Sequence, residues 1–240
     1  MNTNVSRRLS SELKGLARET LLGHYSTVIG AFFLIQASLS LISFTYANFF
    51  ALSGRGSLLY NIGMLIITLL AFLGEAGFSS LLLNLARGNQ IRIGDVFLPF
   101  TRCSDKILIT SLVKILLVVF CFIPGLAALL ASAVYFHILW LRLLAAGLLI
   151  LGAIFAVYLL LLFSMTVYLC LDESSLSAVE LLHASRELMK GNCFRLFYLC
   201  ASFFGVALLG VFSLGIGLLW IVPYTEMTII TFYRELRNEL

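Results

Sequence analysis

Charge is what this sequence has least of. Asp, Glu, Lys and Arg make up 12% of its 240 residues, about half their share in soluble domains. Hydrophobic residues reach 61%, too much apolar surface for a chain of this length to hide from water. The composition therefore calls for a bilayer as solvent. Cysteine is limited to five residues, odd in number and without a CxxC pair; most sit in or beside apolar runs, where a free thiol behaves as a small hydrophobe. Histidine is rarer still: His24, His137 and His183 lie in three separate segments and make no metal triad. No Ser-His-Asp order, HExxH helix or glycine-rich phosphate loop is present. No loop exceeds roughly 25 residues, which is short of an aqueous catalytic domain. The net charge of +4 is not gathered into a basic stripe with interleaved aromatics, so nucleic acid is not an expected partner. No cofactor and no metal is called for.

What is present is a series of long apolar runs. Six spans are expected, at 26–48, 58–85, 107–133, 143–169, 194–212 and 218–233, each near the roughly 20 residues a bilayer core requires. The fold class is thus all-α, a polytopic transmembrane bundle in a single domain over 1–240. It divides into an interfacial helix at 1–24, a first hairpin at 26–85, a second at 86–170 with its own interfacial segment, and an interfacial helix plus third hairpin at 177–240. The first apolar run is too long for a secretory leader and reads as a retained anchor.

Three short segments are expected to lie along the membrane. Near the start, Leu9, Leu13, Leu16 and Leu21 share one helical face, with Arg7, Arg8, Lys14 and Arg18 on the other. The second opens at Gly94 and Asp95 and carries Val96, Phe97, Phe100 and Cys103. The third has a capping box of Ser177 and Glu180, an apolar face of Ala178, Leu181, Leu182, Ser185, Leu188 and Met189, and a left-handed stop at Gly191. Gly23-His24-Tyr25, Gly88-Asn89 and Gly191-Asn192 mark a weak threefold repeat of inner helix and hairpin.

Basic residues orient the chain. Arg7 to Arg18, Arg87 to Lys106, Arg186, Lys190, Arg195, Arg234 and Arg237 fall on one side, and only Arg55 and Arg142 on the other. Both termini are therefore expected in the cytoplasm, with Lys114 snorkelling to that face and Tyr135, Phe136, His137 and Trp140 in the outer aromatic belt.

Polar residues inside apolar runs are the functional candidates. Glu75 and Glu226 lie in spans two and six, and aligning the second helix of each hairpin places them and Ser164 at similar depth. Two readings stand: a shared proton or cation site, or separate glutamic acids hydrogen-bonded to Ser79, Ser80, Thr225 or Thr228. Pro124-Gly125, Gly215, Gly217 and Pro223 are candidate helix breaks, able to expose backbone to a ligand or simply to kink and pack helices. Arg186, Lys190 and Arg195 are candidate basic contacts at the membrane surface, and His183 with Glu187 forms a simple i,i+4 pair.

Residues Ser185-Arg186-Glu187-Leu188-Met189-Lys190-Gly191-Asn192, Arg195-Leu196-Phe197, 214–220 (LGIGLLW), Pro223-Tyr224 and Phe232-Tyr233 resemble the C-terminal signature of the bacterial domain of unknown function 975 family. Ile123-Pro124-Gly125 resembles its central element, and Glu12-Leu13-Lys14 with Ala17 its N-terminal helix. The resemblance implies a small polytopic protein of the cell membrane, mainly of Gram-positive bacteria, and brings no established activity. The leading functional expectation is a non-enzymatic membrane protein acting through contacts with membrane lipids or a protein partner. Its rival is a small transporter or channel using Glu75 and Glu226.

Overall fold

The computed structural model describes residues 8–53, 57–134, 139–213 and 215–240; Arg7, Arg55, Tyr135, Phe136, His137 and Leu214, singled out above, lie outside them. Helix accounts for 85% of the chain, with no strand among the described residues. Long apolar sequence without helix breakers gives α2 (Tyr25–Ser53), α3 (Ser57–Ala86), α5 (Ser104–Val134) and α6 (Leu139–Leu162). At 1.5 Å per residue the first two are each about 45 Å long, more than the hydrocarbon thickness of a bilayer. Five stretches are long and apolar enough to cross a membrane: Tyr25–Phe50, Leu58–Ala86, Ser104–Ser132, Leu139–Asp172 and Cys193–Phe212. The sixth expected span forms α11 (Leu218–Leu236), which carries Glu226, Arg234 and Glu235 and is not marked by composition.

The core sits at one end of the molecule. Leu13, Leu81, Leu82, Ile107, Met165, Leu181, Met189, Leu196, Phe232 and Tyr233 are buried there together. The far halves of the helices expose Ile66, Phe120, Leu130, Leu144, Ile150 and Phe212, the face that hydrocarbon would cover. The buried end is also the basic end. Three short pieces cover it: α1 (Ser10–Leu21), a 3-10 turn at Ile93–Phe97 running into α4 (Leu98–Arg102), and α8 (Ala178–Met189). The α1 face of Leu13, Ala17 and Leu21 is buried and packs on α11 and α3, so its apolar stripe is turned to protein. The capping box of α8 forms as expected, with Ser177 Oγ accepting from the Glu180 amide at 3.3 Å and Glu180 Oε2 from the Ser177 amide at 2.8 Å. Those bonds hold the exposed Glu180 carboxyl below its ordinary pKa.

The repeat is imperfect. Gly23 and Gly191 follow the short helices α1 and α8 with φ of 86° and 76°, but Gly88, with φ 76°, closes the long helix α3. The counterpart of Gly88 is Asn238, with φ 58° after α11. In both places the left-handed residue bonds back three positions (Gly88 to Leu85, Asn238 to Glu235), and the next amide bonds back five (Asn89 to Asn84, Glu239 to Arg234). This is the Schellman closure, so α3 and α11 end in the same way at the same layer.

The breaks fall elsewhere than expected. Helix α5 runs through Pro124 and α11 through Pro223 without interruption, because a proline removes one helical bond and the neighbouring turns hold. Only Gly215, with φ 84°, and Gly217 form a reversal, between α10 (Phe204–Phe212) and α11. The actual interruptions are at Phe163–Met165, between α6 and α7 (Thr166–Asp172), and at Ser202–Phe203, between α9 (Cys193–Ala201) and α10. At the first of these the Ser185 hydroxyl of α8 donates to the Leu162 carbonyl at 3.0 Å, meeting an acceptor at the interrupted end of α6.

Glycine sets the spacing of α5 and α6. A Cβ on Gly152 would lie 2.6 Å from the Cys121 carbonyl oxygen, and one on Gly125 2.6 Å from Leu149 Cδ2. Gly147, on the same helix as Gly152, has nothing within 4 Å. Gly152→Val is expected to force the pair apart and cost about 1–3 kcal/mol, as overpacking does, whereas Gly147→Val stays near the parent. Thermal unfolding in detergent micelles checks the contrast; equal midpoints for the two variants would rule out a glycine seam.

Candidate functional site

The site is built from helix faces at a common depth. Glu75 stands about 16 Å above the basic end of α3 and Glu226 about 15 Å above that of α11, with Lys114 about 15 Å into α5, from the helical rise. On each helix the neighbours that share the face are three or four residues away: Phe72, Glu75 and Ser79 on α3, Ser111 and Lys114 on α5, Val222 and Glu226 on α11, Phe32 and Gln36 on α2. With Ser164 and Tyr168 from the α6–α7 break, they line one cavity of about 450 Å³. The structure thus brings Glu75, Ser164 and Glu226 to one space.

Glu226 is the best-supported member. Its Oε1 accepts from the Ser79 hydroxyl at 2.8 Å and from the Tyr168 hydroxyl at 2.7 Å, two short bonds that fill the acceptor sites of one carboxylate oxygen. Of the four hydroxyls expected as partners, Ser79 fills the role. Thr225 and Thr228 instead bond back to the Ile221 and Tyr224 carbonyls of their own helix, both at 2.8 Å. Ser164 likewise donates to the Leu161 carbonyl at 2.7 Å and reaches the cavity as a wall. Glu75 is open to the cleft and makes no ion pair within 4 Å among the described residues, and it shares the cavity with Glu226 and Lys114. Lys114, expected to snorkel to the basic end, lines the cavity instead; a carboxylate facing it in low dielectric is a closer counter-charge than the interface.

A second space shares two walls with the first. An apolar groove of about 730 Å³ runs between α6, α9, α10 and α11, and Val222 and Glu226 line both it and the polar cavity. Its walls include Phe197, Phe204 and Leu161, the first two exposed. The groove therefore opens sideways, to where lipid chains would stand.

At the basic end charge is largely consumed within the protein. Arg195 donates to Glu235 at 2.9 and 3.1 Å and to the Arg8 carbonyl at 3.1 Å, and its guanidinium lies 5.2 Å from the Phe232 ring centre. It was expected at the membrane surface; the buried Glu235 carboxylate claims it. Arg87 grips Asp172 with two bonds, 2.7 and 2.9 Å, and Glu239 at 2.8 Å, so its protonated form is held more firmly than usual. Tyr233 donates to the same Asp172 at 2.6 Å, and Arg234 donates to the Ala86 carbonyl. These contacts fix α11 against α3 and α7. Arg186 on α8 and Lys190 just past its end remain exposed. His24 and His183 are exposed, and among the described residues no three metal-ligating side chains converge.

Gln36, Ser111, Lys114 and Tyr168 are site residues that sequence reasoning did not assign. Lys114 and Gln36 carried a signal, as rare polar residues in apolar runs. Tyr168 carried none, because its position depends on the α6–α7 break. Removing the phenol hydroxyl in Tyr168→Phe is expected to cost about 1–3 kcal/mol by stripping Glu226 of one of two donors, read as a lower unfolding midpoint. A midpoint equal to the parent's would show that Glu226 does not depend on it.

Compared with curated proteins and with solved structures, the chain matches none. Compared with protein families, it matches over residues 7–239 a family described as a protein of unknown function (DUF975). That match spans nearly the whole sequence, cavity residues and basic-end network alike: the chain belongs to the DUF975 family.

Proposed function

We propose that this is a non-enzymatic membrane protein that binds a small cation at mid-membrane and conducts or carries it, with Glu75 and Glu226 as the binding carboxylates. The observation that carries the reading is the single cavity lined by both glutamates, Ser164 and Lys114. Ionisable groups held at such depth are costly and are kept for a site or a pathway. Contact with lipids or a partner protein is the second reading. It draws on Arg186 and Lys190, which are exposed, but loses Arg195, which is bound to Glu235. In the proposed arrangement α11 is a sixth crossing, and the basic end faces the cytoplasm with both termini, as the distribution of Lys and Arg favours.

In reconstituted vesicles the parent is expected to pass protons or tetramethylammonium faster than empty vesicles do. Glu75→Gln with Glu226→Gln is expected to return the flux to the empty level while the protein stays folded by size exclusion. Undiminished flux in the double variant would reject the mechanism. Orientation is checked separately: reporters fused to the amino terminus and to the Arg186-bearing connection are expected to report the same side, and opposite sides would overturn the topology.

A further inference from the structure

The polar cavity and the apolar groove are both walled by Val222 and Glu226, and a carboxylate that borders both spaces specifies a ligand. Two carboxylates, Glu75 and Glu226, face one ammonium, Lys114, which leaves room for one further positive charge. Glu226 has no protein donor on Oε2 among the described residues, its two bonds both falling on Oε1. The polar cavity is also walled by Phe32, Phe72, Phe78 and Tyr168, and aromatic faces attract alkylated ammonium groups that shed water readily. A volume of about 450 Å³ is ample for such a headgroup. Beyond Glu226 the chemistry changes abruptly: the groove of about 730 Å³ is lined by Val157, Leu161, Phe203 and Ile221 and opens to the hydrocarbon side. A hydrophilic ion gains nothing from such an extension. A chain of methylenes does.

Resting on the cation-site reading above, we infer that the ligand is an amphiphilic monocation, an alkylammonium whose charged head sits between Glu75 and Glu226 and whose tail lies along the groove between α6 and α10.

The test is equilibrium binding to the full chain in nanodiscs of zwitterionic lipid, net of empty nanodiscs, with tetramethylammonium, octyltrimethylammonium and octyl sulfate as probes. Octyltrimethylammonium is expected to bind at least tenfold more tightly than tetramethylammonium, and octyl sulfate not to bind. Glu226→Gln is expected to weaken both cations at least tenfold. Ala207 and Ala201 line the groove and not the polar cavity, so Ala207→Phe, which fills the groove, is expected to bring the two cations within about twofold of each other, by the methylene contribution, while leaving tetramethylammonium unchanged; Ala201→Leu serves if that variant fails to fold. Equal affinity of the two cations in the parent overturns the amphiphile and leaves the cation site standing. Octyl sulfate binding as tightly as octyltrimethylammonium overturns it also, because the carboxylates would then not be reading charge. Binding of neither cation removes the cation-site reading itself.

Discussion

Hydrocarbon offers no hydrogen bonds, so every polar group carried into it must be met by another part of the same chain. Helix α11 lives under that constraint more than any other element here. It carries Glu226 and Glu235 through the most crowded part of the molecule, and each is answered from elsewhere: Glu226 by Ser79 of α3 and Tyr168 of α7, Glu235 by Arg195 of α9 and the Arg8 amide. Those bonds join segments far apart in sequence, and they explain why the core gathers at the basic end. The far halves of the helices carry few polar demands and expose apolar side chains instead.

The apolar runs were legible in the sequence because hydropathy is a local property. Five of the expected crossings reappear as stretches long and apolar enough to span, with ends within a few residues, and the α8 capping box could be read from two residues. Arg195 was not legible. By charge and position along the chain it belongs with Arg186 and Lys190, and only the approach of Glu235, forty positions on, turns it inward. The helix breaks were misjudged for a related reason: Pro124 and Pro223 are conspicuous but tolerated, whereas Phe163–Met165 contains neither proline nor glycine. The partner it leaves room for lies outside the segment, in α8, whose Ser185 donates to the Leu162 carbonyl.

The candidate site divides along the same line. Glu75, Ser164 and Glu226 could be set at one depth by counting residues along helices, since rise per residue is uniform. Which way each side chain turns about its helix axis depends on who the neighbours are. Lys114 was assigned to the interface on its own merits and lines the cavity with the glutamates instead. Tyr168 could not be assigned without the break that aims it.

The glycine seam between α5 and α6 has a mechanical consequence. Two helices whose backbones approach this closely, at Gly152 against Cys121 and at Gly125 against Leu149, leave no slack for sliding or rotation of one on the other. They behave as a single stiff beam, clamped at its foot where α8 packs on both. Lys114 is mounted on that beam and Glu75 and Glu226 on the facing elements, so a tilt of a few degrees about the foot changes the gap between ammonium and carboxylates while every contact within the beam stays as it is.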